Sequence, residues 1–295
     1  MIRWFLGALA TIALLASAGC GEKASPPAAP APSPALWSVS DDSGRTLGWL
    51  FGTIHALPDG TQWRTPAIDK AIVDAGELVV EVRDLDDQSK LAATFTRMSH
   101  TDGLPPLSER VPPRLRSKLA ELLKKGGYRE ADFKAIETWG AAIMLAQLAD
   151  NSSGENGVDK ALIRDFHARP VEELEGVEGQ FSIFDKLPEK DQQDLLGAVL
   201  EEDTMTTSDT ARLAKLWLAG DMEAISKEGD EGMLADPELR KALLTDRNER
   251  WATVIAERLD TGKMPLVAVG AAHLAPPAGL PELLRAKGYK VTRVK

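Results

Sequence analysis

Cysteine is almost missing from this chain. The single one, Cys20, has no partner for an internal disulfide, so stability must come from packing. Aromatic residues are sparse, 5% of the total, with only two Tyr. There is no dense basic run, and 35 Lys and Arg against 45 Asp and Glu leave a net charge of −10. That balance disfavours a phosphate-backbone partner, so no nucleic acid is expected. Neither a zincin HExxH nor a GxSxG nucleophile turn occurs, and the one thiol lies near the N-terminus, so none of these three catalytic classes finds support. The N-terminal apolar run without charge, Trp4 to Ala18, is shorter than the roughly 20 residues that span a bilayer. What is present is 43% apolar and 27% charged over 295 residues, which excludes a disordered tail and allows a sizeable core.

The N-terminus carries an address. Met1-Ile2-Arg3 is a short cationic start, Trp4 to Ala18 is an apolar run, and Ala16-Ser17-Ala18-Gly19 supplies small residues before Cys20. Residues 1–19 read as a signal peptide. Small residues leading into one Cys resemble the lipobox of bacterial lipoproteins, with Ser17 where that pattern prefers Leu, and make Cys20 the candidate lipidation site. The alternative is an ordinary secretory signal with a chance Cys. Residues 20–35, rich in Pro and Ala, form an extended tether, and the folded domain is expected over 36–295. The expected location is the bacterial envelope, held to the membrane by lipid; Gly21 lacks the Asp that resembles an inner-membrane retention signal, which favours the outer membrane facing the periplasm.

Within the domain, 36–40 and 46–51 read as a hairpin around Asp41-Asp42-Ser43-Gly44. Thr65-Pro66 and Gly76 bracket a short helix, and 78–82 follows as a buried strand, giving a β-α-β unit. Apolar stripes then predict helices over 112–125 and 132–149, a further one opened by Asn156-Gly157-Val158-Asp159, a short strand at 170–174, and helices near 188–200, 208–219 and 236–260. The all-apolar 265–269 reads as a central parallel strand, followed by a helix over 281–287 and a strand over 291–294. The fold class is α/β, a mixed central sheet flanked by helices with a helical middle section.

A weak repeat stands out. Two apolar strands each run into Gly-x-x-His, ending at His55 and His273, which are two of only four histidines. Glycine at a strand exit lets the chain turn sharply, and the histidine is then displayed at the sheet's C-terminal edge, where open α/β sheets bind ligands. Alone, each motif is better explained by a surface or packed histidine after a turn; the occurrence of two at the ends of buried strands is what points to a site. Glu81 follows Leu78-Val79-Val80 and Glu175 ends Val171 to Leu174, so both carboxylates sit near the same edge; for Glu175 a solvated edge acid is the competing reading. Arg247 falls on the apolar stripe of Leu243, Trp251 and Ile255, where a cation wants a carboxylate or a substrate oxyanion; the alternative is a snorkelling side chain. Asn248 is its neighbour and a weaker candidate. Asp159, three residues after Asn156, is explained as a helix-capping residue. Two His and two Glu make a plausible divalent site.

LFGTIHALP at 50–58, VVEV at 79–82, GVD at 157–159, VEELEGVEGQ at 171–180, TDRNERW at 245–251 and the block from Val267 to Val291 together resemble the TraB/PrgY/GumN family, related to the Tiki metalloproteases. The resemblance runs over residues 36–295 in the family's order, and the C-terminal block is its most specific piece. It implies a fold similar to the Tiki, erythromycin-esterase-like and ChaN-like proteins. It also implies a site in which His55 and His273 match the motif histidines, Glu81 and Glu175 the acidic positions, and Arg247 with Asn248 the polar pair of the long helix. Leu274-Ala275-Pro276 departs from the Leu-x-Gly that often follows. The expectation is an envelope-anchored, metal-dependent peptidase or related hydrolase. In it His55, His273 and Glu81 hold a divalent Mn, Co or Zn ion, the other carboxylate takes the water's proton, and Arg247 steadies the oxyanion. The alternative is a non-catalytic peptide-binding or regulatory lipoprotein using the same cleft. In both, the partner is a peptide or protein.

Overall fold

The computed structural model describes residues 31–84, 87–149, 156–202, 207–231 and 233–294. The expected signal peptide, Cys20 and residues 21–30 of the expected tether lie outside the described residues. One sheet organises the rest. Its strands are β1 (Leu36–Ser40), β2 (Thr46–Thr53), β3 (Glu77–Val80), β4 (Val171–Glu173), β5 (Pro265–Gly270) and β6 (Lys290–Val294), in the order β4-β3-β5-β2-β1-β6. The first four in that order run parallel, and β1 pairs antiparallel with both β2 and β6, so the sheet is mixed as expected.

The helices are α1 (Pro66–Asp74), α2 (Gln88–Met98), α3 (Arg116–Lys125), α4 (Thr138–Ala149), α5 (Val158–Asp165), α6 (Gly176–Asp185), α7 (Glu189–Glu202), α8 (Thr207–Ala219), α9 (Met222–Glu231), α10 (Pro237–Arg240), α11 (Asp246–Asp260) and α12 (Leu280–Ala286). β5 explains how they are distributed, because its all-apolar sequence is buried on both faces. Leu266 and Ala268 meet Ile68 of α1, Leu162 of α5 and Trp217 of α8, while Val267 and Val269 meet Ile255 of α11 and Leu284 of α12. A third core, around Trp139, Leu119, Leu196 and Leu239, holds the helical middle section together.

The expected helix over 132–149 is broken. Residues 130–133 form a 3-10 turn, and α4 starts only at Thr138. Between them the chain pairs with the end of α2: Thr101 N–H donates to Ala135 O, and Glu137 N–H to Ser99 O. The buried Arg110 guanidinium takes the Phe133 and Ile136 carbonyls. A side chain from elsewhere therefore satisfies the backbone where the helix would have done so. α2, α6 and α9 are helices for which the apolar pattern gave no expectation. The long helix near 236–260 is interrupted by a π turn at Lys241–Thr245, immediately before Arg247.

Candidate functional site

Thr53 of β2 lies opposite Gly270 of β5 in a parallel pair, so both Gly-x-x-His turns leave the sheet side by side at its C-terminal edge. The glycines permit this closeness. A Cβ on Gly52 would lie 3.2 Å from Ala271 Cα, and one on Gly270 would lie 3.3 Å from Glu81 Oε1. Through that opening the Gly270 N–H donates to Glu81 Oε1 at 2.7 Å.

His55 stands on the open side. Its Nδ1 is 2.9 Å from Asp159 Oδ2, and because a carboxylate can only accept, Nδ1 carries the proton and Nε2 is left unshared. Thr53 Oγ1 donates to the other Asp159 oxygen at 2.5 Å. The backbone reinforces the pairing, since Val158 N–H donates to Ile54 O and brings the start of α5 against the exit of β2. Asp159 is therefore not the cap expected from sequence. The N-cap is Gly157, and Asp159 lies inside the first turn, buried and aimed at β2. The hydrogen bond that Asp159 accepts from His55, and then its charge, hold the imidazolium so well that the His55 pKa is raised to about 9 against the pull of partial desolvation. The side chain is nonetheless 77% exposed. Burial pushes Asp159 upward, but the His55 pair outweighs it and the carboxyl ends below its ordinary value.

His273 stands on the closed side, 5% exposed. Its Nε2 is 3.2 Å from Arg247 Nη1, a group that can only donate, so Nε2 accepts; Nδ1 then carries the proton and donates to Asn248 Oδ1 at 2.6 Å. Asn248 Nδ2 donates onward to Ala278 O. Burial lowers the His273 pKa to about 4, leaving a neutral ring in van der Waals reach of Trp251.

Arg247 joins the acids. Nη2 donates to Glu81 Oε2 at 2.7 Å and to Glu175 Oε2 at 2.9 Å, Nε donates to Glu175, and Nη1 donates to Leu243 O as well as to His273. Every N–H of the guanidinium is used, and its carbon lies 4.5 Å over the Trp251 ring. Neither the snorkelling side chain nor the oxyanion donor is what this arrangement contains, because no N–H is left to offer a substrate. The preceding π turn sends the Asp246 N–H five residues back to Lys241 O, and the Leu243 carbonyl is taken by the Arg247 side chain. Glu175, at the N-cap position of α6, is 8% exposed and so is not an edge acid. Burial raises the Glu81 pKa, yet His273, Arg247 and the Gly270 N–H together bring it below the ordinary value. With His273 neutral, Arg247 and Gly270 are the partners that keep Glu81 ionised.

The structure thus brings Glu81, Glu175, Arg247, Asn248 and His273 into one buried network and puts His55 with Asp159 beside it. As to a divalent ion, both imidazoles are pinned through Nδ1, the usual orientation of a metal-ligating histidine. The assembly does not follow. Arg247 donates to the same His273 Nε2 and Glu81 Oε2 that an ion would take, and among the described residues no three His, Cys, Asp or Glu side chains are grouped to hold a metal. In this arrangement the residues do not fit a metal, and the cation the carboxylates hold is a guanidinium.

The sequence profile described as the TraB/PrgY/gumN family matches residues 35–293. An uncharacterized protein called YbaP from Shigella flexneri is 26% identical over 250 residues, covering 82% of this chain and 89% of that one. YbaP from Escherichia coli K12 is 26% identical over 244 residues, covering 80% and 87%. No solved structure matches the chain significantly.

Proposed function

The chain belongs to the TraB/PrgY/gumN family, and on that premise we propose that it is an envelope-anchored hydrolase of peptides or related acyl compounds, with His55 as its acid–base group. The observation that carries this reading is the His55–Asp159 pair at the exit of β2: an exposed imidazole, fixed through Nδ1 and free at Nε2. In its neutral form His55 Nε2 takes a proton from water as the oxygen attacks the substrate carbonyl. The resulting imidazolium returns that proton to the departing amine or alkoxide. Asp159 fixes the tautomer and stabilises the charged ring. The neighbouring network keeps a neutral His273 and an ionised Glu81 in place, and the opposite pKa displacements of the two histidines are the kind of separation that acid–base sites use. Cys20 is the lipid-anchor residue in this proposal, and the Tiki kinship belongs to it as well.

A second reading, a divalent ion between His55, His273 and Glu81, is favoured by the shared Nδ1 anchoring and requires Arg247 to release its contacts. One experiment separates the readings. The purified full chain is stripped with a chelator and assayed on a peptide mixture from pH 6 to 9.5, with and without Mn²⁺, Co²⁺ or Zn²⁺, beside His55→Ala and His273→Ala. Metal-free cleavage that rises toward pH 9 and falls about 10²–10⁴-fold in His55→Ala supports the acid–base reading. Cleavage only with an ion, with ion content lost in both variants, supports the second. A folded chain that cleaves nothing overturns both and leaves a peptide-binding regulator. Lipid labelling that is lost in Cys20→Ser tests the anchor.

A further inference from the structure

A cavity of about 140 Å³ opens next to the His55 turn. That is close to the ~150 Å³ that holds one benzene-sized group and well below the roughly 300 Å³ at which whole-ligand pockets begin, so its occupant is one side chain or one chain end. Its two sides are the loop that follows His55, through Leu57, Pro58 and Trp63, and α5 with its N-cap, through Gly157, Ala161 and Arg164. These segments are the ones that position the reacting pair, because His55 lies two residues before Leu57 and Asp159 two residues after Gly157. Trp63 makes a firm wall: it stacks on the buried Phe51 at 5.9 Å and meets Trp217 edge-on, while Trp217 Nε1 donates to Gly52 O in the first Gly-x-x-His turn.

The charge in this lining is Arg164. Its guanidinium has no ion-pair partner among the described residues, although acids are close by. Asp165 and Asp69 are held by Arg64, and Asp59 accepts from the Asn156 amide. Leu57, Pro58 and Trp63 on one side, the polar Thr61 and Asn156 beside them, and the exposed Arg164 guanidinium, unpaired among the described residues, together suit a short side chain or chain end that ends in a carboxylate.

We propose that this cavity is a substrate subsite for a carboxylate-bearing group, either an acidic side chain or a free peptide C-terminus, seated against Trp63 and bound by Arg164. The proposal gives the His55 reading a substrate class and rests on it for catalytic meaning, whereas the binding itself does not. The test is calorimetric titration of the full chain and of Arg164→Gln with three peptides: acetyl-Ala-Glu-Ala-amide, acetyl-Ala-Gln-Ala-amide and acetyl-Ala-Ala-Ala with a free C-terminus. An acidic peptide is expected to bind at least ~10-fold tighter than the Gln peptide. Which of the two acidic peptides does so identifies the source of the carboxylate. Arg164→Gln should erase that preference without weakening the neutral peptide, and Arg164→Lys should restore part of it. Equal binding of all three, no binding of any, or a preference unchanged in a folded Arg164→Gln protein overturns the subsite. Turnover is read on the same peptides. Cleavage without charge preference removes the subsite and leaves the His55 reading standing, and charge-selective binding without cleavage does the reverse.

Discussion

The two histidines begin alike, each three residues after a glycine at the end of a parallel strand, and finish in opposite surroundings. His55 meets a carboxylate and water; His273 meets a guanidinium, an amide and an indole. One ring is held charged and the other neutral, with pKa values near 9 and near 4. The difference shows that the motif supplies position only. The group that reaches Nδ1 and the solvent that reaches Nε2 decide what the ring does.

The comparison breaks most sharply at Arg247, which belongs to the His273 side alone. Arg247→Met removes the buried guanidinium that, among the described residues, pairs with both Glu81 and Glu175, and leaves Glu81 without an ion-pair arginine and Glu175 with only the exposed Arg250 at 3.5 Å. A loss of about 3–5 kcal/mol in denaturant unfolding is expected, and adding Glu81→Gln should recover part of it. His55→Ala, on the open side, should cost about 1 kcal/mol or less. Equal losses would mean that the two sides are not distinct.

Acid gives the next largest effect. An unfolded histidine titrates near 6.5, whereas His273 stays neutral in the fold down to about 4, so between those values the unfolded chain binds a proton that the folded one refuses. Stability therefore falls as pH drops through that window, by about 3 kcal/mol from this group. The depressed Glu81 and Asp159 lose stabilisation in the same direction as they are protonated. Unfolding midpoints measured from pH 7 to 4 should show this slope, and it should be shallower in His273→Gln. An unchanged slope would place the acid sensitivity elsewhere.

Much of the sheet could be anticipated from sequence because its signals are local. The turn cluster after Ser40, the cap at Thr65 with Pro66, and the unbroken apolar run of β5 each specify their own element. The Gly-x-x-His pair and Arg247 were legible because each violates a local pattern: a histidine after a buried strand, a cation on an apolar stripe. Asp159 misleads for the converse reason. It satisfies a local template, Asn-x-x-Asp at a helix start, and nothing near it in sequence reports that β2 ends against that helix. The break before α4 was equally hidden, since the side chain responsible, Arg110, is more than 20 residues away from the carbonyls it takes. That every Arg247 donor is already used depends on four separate segments meeting, which no periodicity records.

The smallest effect concerns Asp159, and it sharpens the comparison without dismantling it. If the carboxylate is what separates His55 from its twin, Asp159→Asn should keep the ring in place through an amide oxygen while removing the charge. The His55 ring-proton resonance should then titrate near 6.5 instead of near 9, with His273 unmoved. The stability consequence has a definite sign. A raised folded pKa stabilises fully below 6.5 and loses that stabilisation as pH rises through 9, so the wild type should lose stability over that interval and the variant should not. Because the ring is 77% exposed, solvent screens the pair, and the loss should be no more than about 1 kcal/mol. A titration that stays near 9 in Asp159→Asn would transfer the effect to Glu81, the other acid acting on His55, and would make the two histidines parts of one electrostatic unit in place of two.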